Sequence, residues 1–206
     1  MTVFDRIAQL VPCLVAACNA GPLTPFNAPV ARTPWPVHEG WRSELLSFPL
    51  EFAPTLPYRG VEEIRFAPGF FDPEAPGYWS YAFAWRLEAY PAFEPTAIGA
   101  QLTTYFRGLV AAVDEGNEIT DRDSIVVRAA GTERRLTLTA HVIDPFTTKR
   151  PVDLTGTALQ MACPTGALWV FTFAPANSTL HRELDALAAR AACQQPPVPN
   201  APRPGR

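Results

Sequence analysis

Few residues in this chain combine a reactive type with a setting that could use it. The histidines, His38, His141 and His181, fall far apart, and none has a neighbour at metal-ligand spacing. Each reads as a surface histidine. Glu62 is the unusual acid. In Val61-Glu62-Glu63-Ile64-Arg65-Phe66, strand alternation puts it on the side of Ile64 and Phe66. A carboxylate on an apolar face needs a partner, and Arg86 or Arg107 is the expected cation. The other reading is a perturbed acid in a pocket. An enzyme, hydrolase-like, would have to assemble its site from dispersed residues such as Glu62 and His141. A second cluster is aromatic. In Tyr78-Trp79-Ser80-Tyr81-Ala82-Phe83-Ala84-Trp85, alternation puts Trp79, Tyr81, Phe83 and Trp85 on one face. That face is either core, with a helix packed on it, or a partly open groove for a small apolar ligand.

Other chemistries lack their residues. No GxSxG, Walker A, GxGxxG, HExxH or CxxC is present, so a nucleophile elbow, a phosphate cradle and a zinc cluster have no support. No cofactor and no metal is called for. The acidic run Asp114 to Asp123 lacks the order of an EF-hand loop and reads as a solvated turn. The net charge is −3, with acids and bases interleaved and a single lysine, Lys149. A nucleic-acid partner would need a basic face.

The N-terminus points outward from the cytoplasm. Residues 1–17 carry one positive charge, Arg6, and then an apolar run too short to span a bilayer. They end Val15-Ala16-Ala17-Cys18, which resembles the lipobox of bacterial lipoproteins: an aliphatic residue, two small residues, then cysteine. The resemblance implies cleavage before Cys18 and a lipid on its thiol, with localisation in the periplasm or at the outer membrane. Residues 18–40 hold five prolines and read as an extended spacer. Residues 194–206 hold five more and read as a disordered tail. Cys163 and Cys193 lie in the remaining domain, residues 41–193. In an oxidising compartment they either form a disulfide or stand as two separate thiols.

These residues must be carried by a sheet and two helices. Strands are expected over residues 42–52, broken at Pro49, and over 61–67 and 78–88. A helix follows Pro95, with Ile98, Leu102, Tyr105, Phe106, Leu109 and Val113 on one face. Gly99 and Gly108 weaken it and suit a close approach to the sheet. Hairpins follow, around Gly131-Thr132 and around Pro164-Thr165-Gly166. In residues 133–144 the alternation is clean, with Leu136, Leu138, Ala140 and Val142 on one side and Arg135, Thr137, Thr139 and His141 on the other, so one face is wet. A last helix, capped by Asn177 or Ser178, shows Leu180, Leu184 and Leu187 on its apolar side. The order βββ-α-ββββ-α is α+β: an antiparallel sheet of six to seven strands with two covering helices.

The closing unit, Leu168-Trp169-Val170-Phe171-Thr172-Phe173 and a capped helix, resembles the end of PsbP-like domains, which have an antiparallel sheet between helices. Phe66 to Phe71 and Tyr78 to Phe83 resemble stretches of uncharacterised bacterial putative lipoproteins. Neither resemblance implies an activity. The expected function is an exported, lipid-anchored envelope protein that binds a partner protein or a small apolar ligand, touching membrane only through its anchor. An enzyme and a purely structural envelope protein are the alternatives.

Overall fold

The computed structural model of the chain describes residues 35–132 and 134–193. The expected signal segment, Cys18 and the proline-rich tail lie outside them. One antiparallel sheet of seven strands runs in the order β1-β2-β3-β7-β6-β5-β4. Its strands are β1 (Arg42–Ser47), β2 (Gly60–Phe66), β3 (Tyr81–Leu87), β4 (Val126–Thr132), β5 (Arg135–Ile143), β6 (Pro151–Ala162) and β7 (Ala167–Pro175). Two helices complete the α+β order, α1 (Pro95–Val113) between β3 and β4 and α2 (His181–Ala188) after β7. The chain builds β1-β2-β3 as a meander, crosses over through α1 to the far edge, and returns by β4-β5-β6-β7 until β7 pairs with β3.

Alternation assigns every strand residue to one of two faces. Tyr81, Phe83 and Trp85 lie opposite Phe173, Phe171 and Trp169 in register. Their rings form the larger core with Ile98, Leu102, Tyr105, Phe106 and Val110 of α1. Each such fully buried side chain contributes about 1.5–3 kcal/mol. The ring plane of Tyr105 stacks on Phe83 at 5.4 Å and 2°. Between these residues the other side of β3 is small. Ala82 and Ala84 let Leu184, Leu187 and Ala188 of α2 approach closely, forming a second core.

Gly99 does what its position suggests: a Cβ there would sit 2.9 Å from the Val127 carbonyl, so α1 lies tight on β4. Gly108 instead admits the chain before β2, since its Cβ would fall 1.9 Å from the Phe52 carbonyl. The segment 48–59 therefore lies across α1 rather than continuing β1, and the expected strand over 42–52 stops at Ser47. The first hairpin of the second half turns two residues later than expected, since Thr132 pairs with Arg135.

The folded unit begins earlier than residue 41. Trp35 is fully buried in the second core, and its indole donates to the Leu187 carbonyl at 2.8 Å. The end of the expected spacer is thus part of the globule. At the other end Cys163 and Cys193 form a disulfide, with Cα atoms 5.3 Å apart.

Candidate functional site

The open concave surface lies on the α2 side of the sheet. Thr137 and Thr139 of β5 face Thr157 and Thr155 of β6 in register, and Thr157 faces Thr172 of β7. Alternation puts all five hydroxyls on one side. Helix α2 packs mainly on β7, so the threonines floor a groove of about 370 Å³ with His181 and Asp185 of α2 on its wall. Thr157 Oγ1 donates to Asp185 Oδ1 at 3.2 Å, and the Thr157 amide donates to Thr172 Oγ1 at 3.0 Å. Arg135 stands 3.8 Å from Asp185 Oδ2 at the rim.

The groove has hydroxyls, an imidazole and a carboxylate, but they do not form a nucleophile and base. His181 Nε2 lies 3.0 Å from the Pro175 carbonyl. A carbonyl only accepts, so Nε2 carries the proton and cannot take one from Thr155, 3.5 Å away. The arrangement can recognise polar groups by hydrogen bonds.

His141 shares this face, one register row further on, and pairs with Asp153 at 2.7 Å. Glu62 lies on the opposite face, four strand spacings away, roughly 19 Å. The structure therefore does not bring Glu62 and His141 together. Trp79 and Tyr81 are 1% and 3% exposed. Trp79 sits at φ 49° just before β3, with its ring against Phe70 and Phe146. Helix α1 and the aromatic loops fill the space that an aromatic groove would need.

No family model, no curated protein and no solved structure matches the chain.

Beneath α1 lies a closed polar cluster centred on Glu62. Its carboxylate is fully buried. The Trp85 indole donates to Oε1 at 3.0 Å, while Oε2 has no hydrogen-bond partner. Neither expected cation reaches it. Arg86 alternates to the other face, and Arg107 donates to the carbonyls of Ile125 and Asp123. Burial pushes the Glu62 carboxyl up to about 8; the Trp85 indole and the nearby Tyr105 hydroxyl pull it back only in part, and the Glu44 charge pushes it further up. Glu44, on the edge strand β1, sits diagonally from Glu62 on the same face. Burial raises its carboxyl to about 7, against the pull of Arg42. Tyr81 adds another buried hydroxyl with no partner.

The cation expected at Glu62 went to its neighbour. Glu63 is fully buried on the α2 side between two arginines. Arg65 donates to it at 3.0 Å, and the Arg86 guanidinium makes a short contact to its other oxygen. Arg65 also donates to the Trp35 carbonyl and lies 4.8 Å over the Trp35 ring. Sequence reasoning passed over Glu63 because its side of β2 had no obvious apolar partner. Trp35, which supplies one, had been placed in the spacer.

Most of the acidic run is exposed, as a solvated turn would be, but its first residue is not. Asp114 is buried, accepts from the amides of Glu118 and Ile119, and pairs with Arg122 at 2.9 Å. Lys149 approaches it at 3.8 Å. Among the described residues no group of three or more His, Cys, Asp or Glu side chains is placed to hold a metal ion.

Proposed function

We propose that this chain is an exported envelope domain, tethered at Cys18 and related in architecture to PsbP-like domains, that binds a polar segment of a partner protein across its threonine groove. The carrying observation is the groove itself. It is an open concave surface, its side chains converge from three strands and a helix, and its volume of about 370 Å³ admits a short segment of chain. The aromatic face, which would have suited a small apolar ligand, is packed full. The Cys163–Cys193 disulfide fits an oxidising compartment. No helix among the described residues is long and apolar enough to cross a membrane, so a lipid on Cys18 would be the means of attachment.

Two measurements test the reading. Fractionation with mass spectrometry of the mature N-terminus is expected to find a lipidated Cys18 in the membrane fraction and a soluble Cys18→Ala variant. An intact Met1 peptide in the cytosol would reject export. A photo-crosslinking residue at Thr139 is expected to give a discrete protein adduct in whole cells, absent when the probe replaces exposed Glu74. Equal labelling from both positions would reject the groove as the contact.

A further inference from the structure

A carboxyl group buried with no counter-charge has one inexpensive way to exist: uncharged. Glu62 is in that situation. The groups that act on it are the Trp85 indole of β3, the Tyr105 hydroxyl of α1 and the Glu44 carboxyl of β1, with no cation among them. Tyr81 faces it from β3. Arg42 acts on Glu44. Arg65 and Arg86 are committed to Glu63 on the other side of the sheet.

What closes over this acid is thin. β1 is an edge strand paired to β2 alone, and its residues are half-buried or exposed. The segment 48–58 then returns across α1 and places three rings on the residues that contact Glu62. Phe48 and Tyr58 pack on Trp85 at 5.5 and 5.6 Å, and Phe52 packs edge-on against Tyr105 at 5.0 Å. Besides Arg42 and Glu44 of β1, the titratable side chains are those of the segment 48–58: Glu51, which is exposed, and Tyr58. Neither supplies a positive charge.

We propose that β1 and the segment 48–58 form a proton-controlled cover over Glu62, closed while the Glu62 carboxyl is protonated and opened by its ionisation. Charging Glu62 creates an anion with one oxygen unpartnered and a second carboxyl nearby, and water can solvate it only by entering under β1 and the three rings. Glu44, between Glu62 and solvent, is the route by which the proton leaves. The rest of the sheet has no part in this, so opening is local. The direction follows from the two states. The closed form holds the proton up to higher pH than the open form, so closure is favoured in acid and lost as pH rises from the ordinary glutamate range through about 8.

Hydrogen-exchange mass spectrometry on the full chain between pH 5.5 and 8.5, corrected for intrinsic exchange rates, tests the proposal. The opening constant for amides of β1, β2 and residues 48–58 is expected to rise about tenfold per pH unit below pH 8. Amides of the β5–β6 hairpin should not change. Glu62→Gln should abolish the slope between pH 7 and 8, where Glu44 is already ionised, and Glu44→Gln should move its upper end to lower pH. The wild-type chain supplies an independent readout, since the 13C signal of the Glu62 carboxyl should titrate near 8. Protection of β1 and β2 that does not depend on pH, a slope between pH 7 and 8 that survives in Glu62→Gln, or a Glu62 carboxyl that titrates in the ordinary glutamate range would each overturn it.

Discussion

Replacing Glu63 by glutamine should be among the most damaging single changes in the domain. The substitution is nearly isosteric, so it tests charge rather than packing. Glu63 is fully buried, Arg65 is 1% exposed and Arg86 is 6% exposed. Without the carboxylate, two guanidinium groups remain buried without their anion. Arg86 Nη2 already lacks a partner, so that side chain has no spare acceptor to turn to. Charge-assisted hydrogen bonds are worth about 1.5–3 kcal/mol each, and breaking one side of a buried ion pair costs about 3–5 kcal/mol. A loss of about 4 kcal/mol is therefore expected, a large part of the roughly 5–15 kcal/mol that stabilises a domain. Urea unfolding at pH 7, followed by tryptophan fluorescence, measures it. Because Trp35 rests on Arg65, its burial should be lost early in the transition. The companion variant carries Glu63→Leu, Arg65→Met and Arg86→Met together, which removes the charges as a set and should recover most of the loss. A Glu63→Gln loss below about 1 kcal/mol would refute the reasoning.

Three further outcomes follow from the same geometry. Glu62→Gln should be close to neutral at pH 5, where the wild-type acid is already protonated in the folded chain. The wild type should lose roughly 3 kcal/mol of unfolding free energy between pH 5 and pH 8 through this carboxyl, because the unfolded chain ionises first; Glu62→Gln should remove that part of the slope, as read by urea midpoints at both pH values. Reducing the Cys163–Cys193 bridge, whose ends are 30 residues apart, should cost about 3–4 kcal/mol on the chain-entropy model, visible as a lower melting temperature under reductant. Gly108→Ala should destabilise the chain even though alanine is favoured by about 1 kcal/mol within a helix, because the new methyl would sit 1.9 Å from the Phe52 carbonyl. Calorimetry showing a stabilised Gly108→Ala would mean that the segment 48–58 does not lie on α1.

Much of the sheet was legible because its strands obey a strict period of two. The alternation Arg135 to Val142 was read residue by residue, and the structure gives it in the same phase. The hairpin at Pro164-Thr165-Gly166 and the helix after Pro95 follow from turn and capping chemistry that is local. What was not legible is non-local. Nothing in Trp35 or Pro36 announces that this stretch folds back 30 residues ahead to cover Arg65. Nothing in Phe52 says that it will meet the carbonyl-to-Gly108 gap across α1. The threonine groove was half visible. Thr137 and Thr139 were placed on a wet face, but Thr155, Thr157 and Thr172 join them only through the register of β6 and β7.

The two adjacent glutamates of β2 show why one pattern yields opposite chemistries. Consecutive strand residues point to opposite faces, so Glu62 and Glu63 had to enter different cores. Each core is closed by a different helix, α1 crossing from β3 to β4 and α2 following β7. The α2 side receives Arg65 and Arg86 from β2 and β3, because those residues share the phase of Glu63 across the pairs Arg65–Ala82 and Val61–Arg86. The α1 side receives Trp85 and Tyr81, which share the phase of Glu62, and Tyr105 from α1; they bring hydroxyls and an indole but no positive charge. The carboxylate among arginines is paired from both sides, and Arg65 links that pair to the Trp35 carbonyl. Its neighbour among aromatics is held uncharged, and so becomes sensitive to protons. A single exchange, moving a cation into the phase of Glu62 by Phe83→Arg or Ile64→Arg, would not rescue it, since those positions carry the packing of the larger core. The division of roles is thus set by strand register, which is the level at which a change in pH response would have to be engineered.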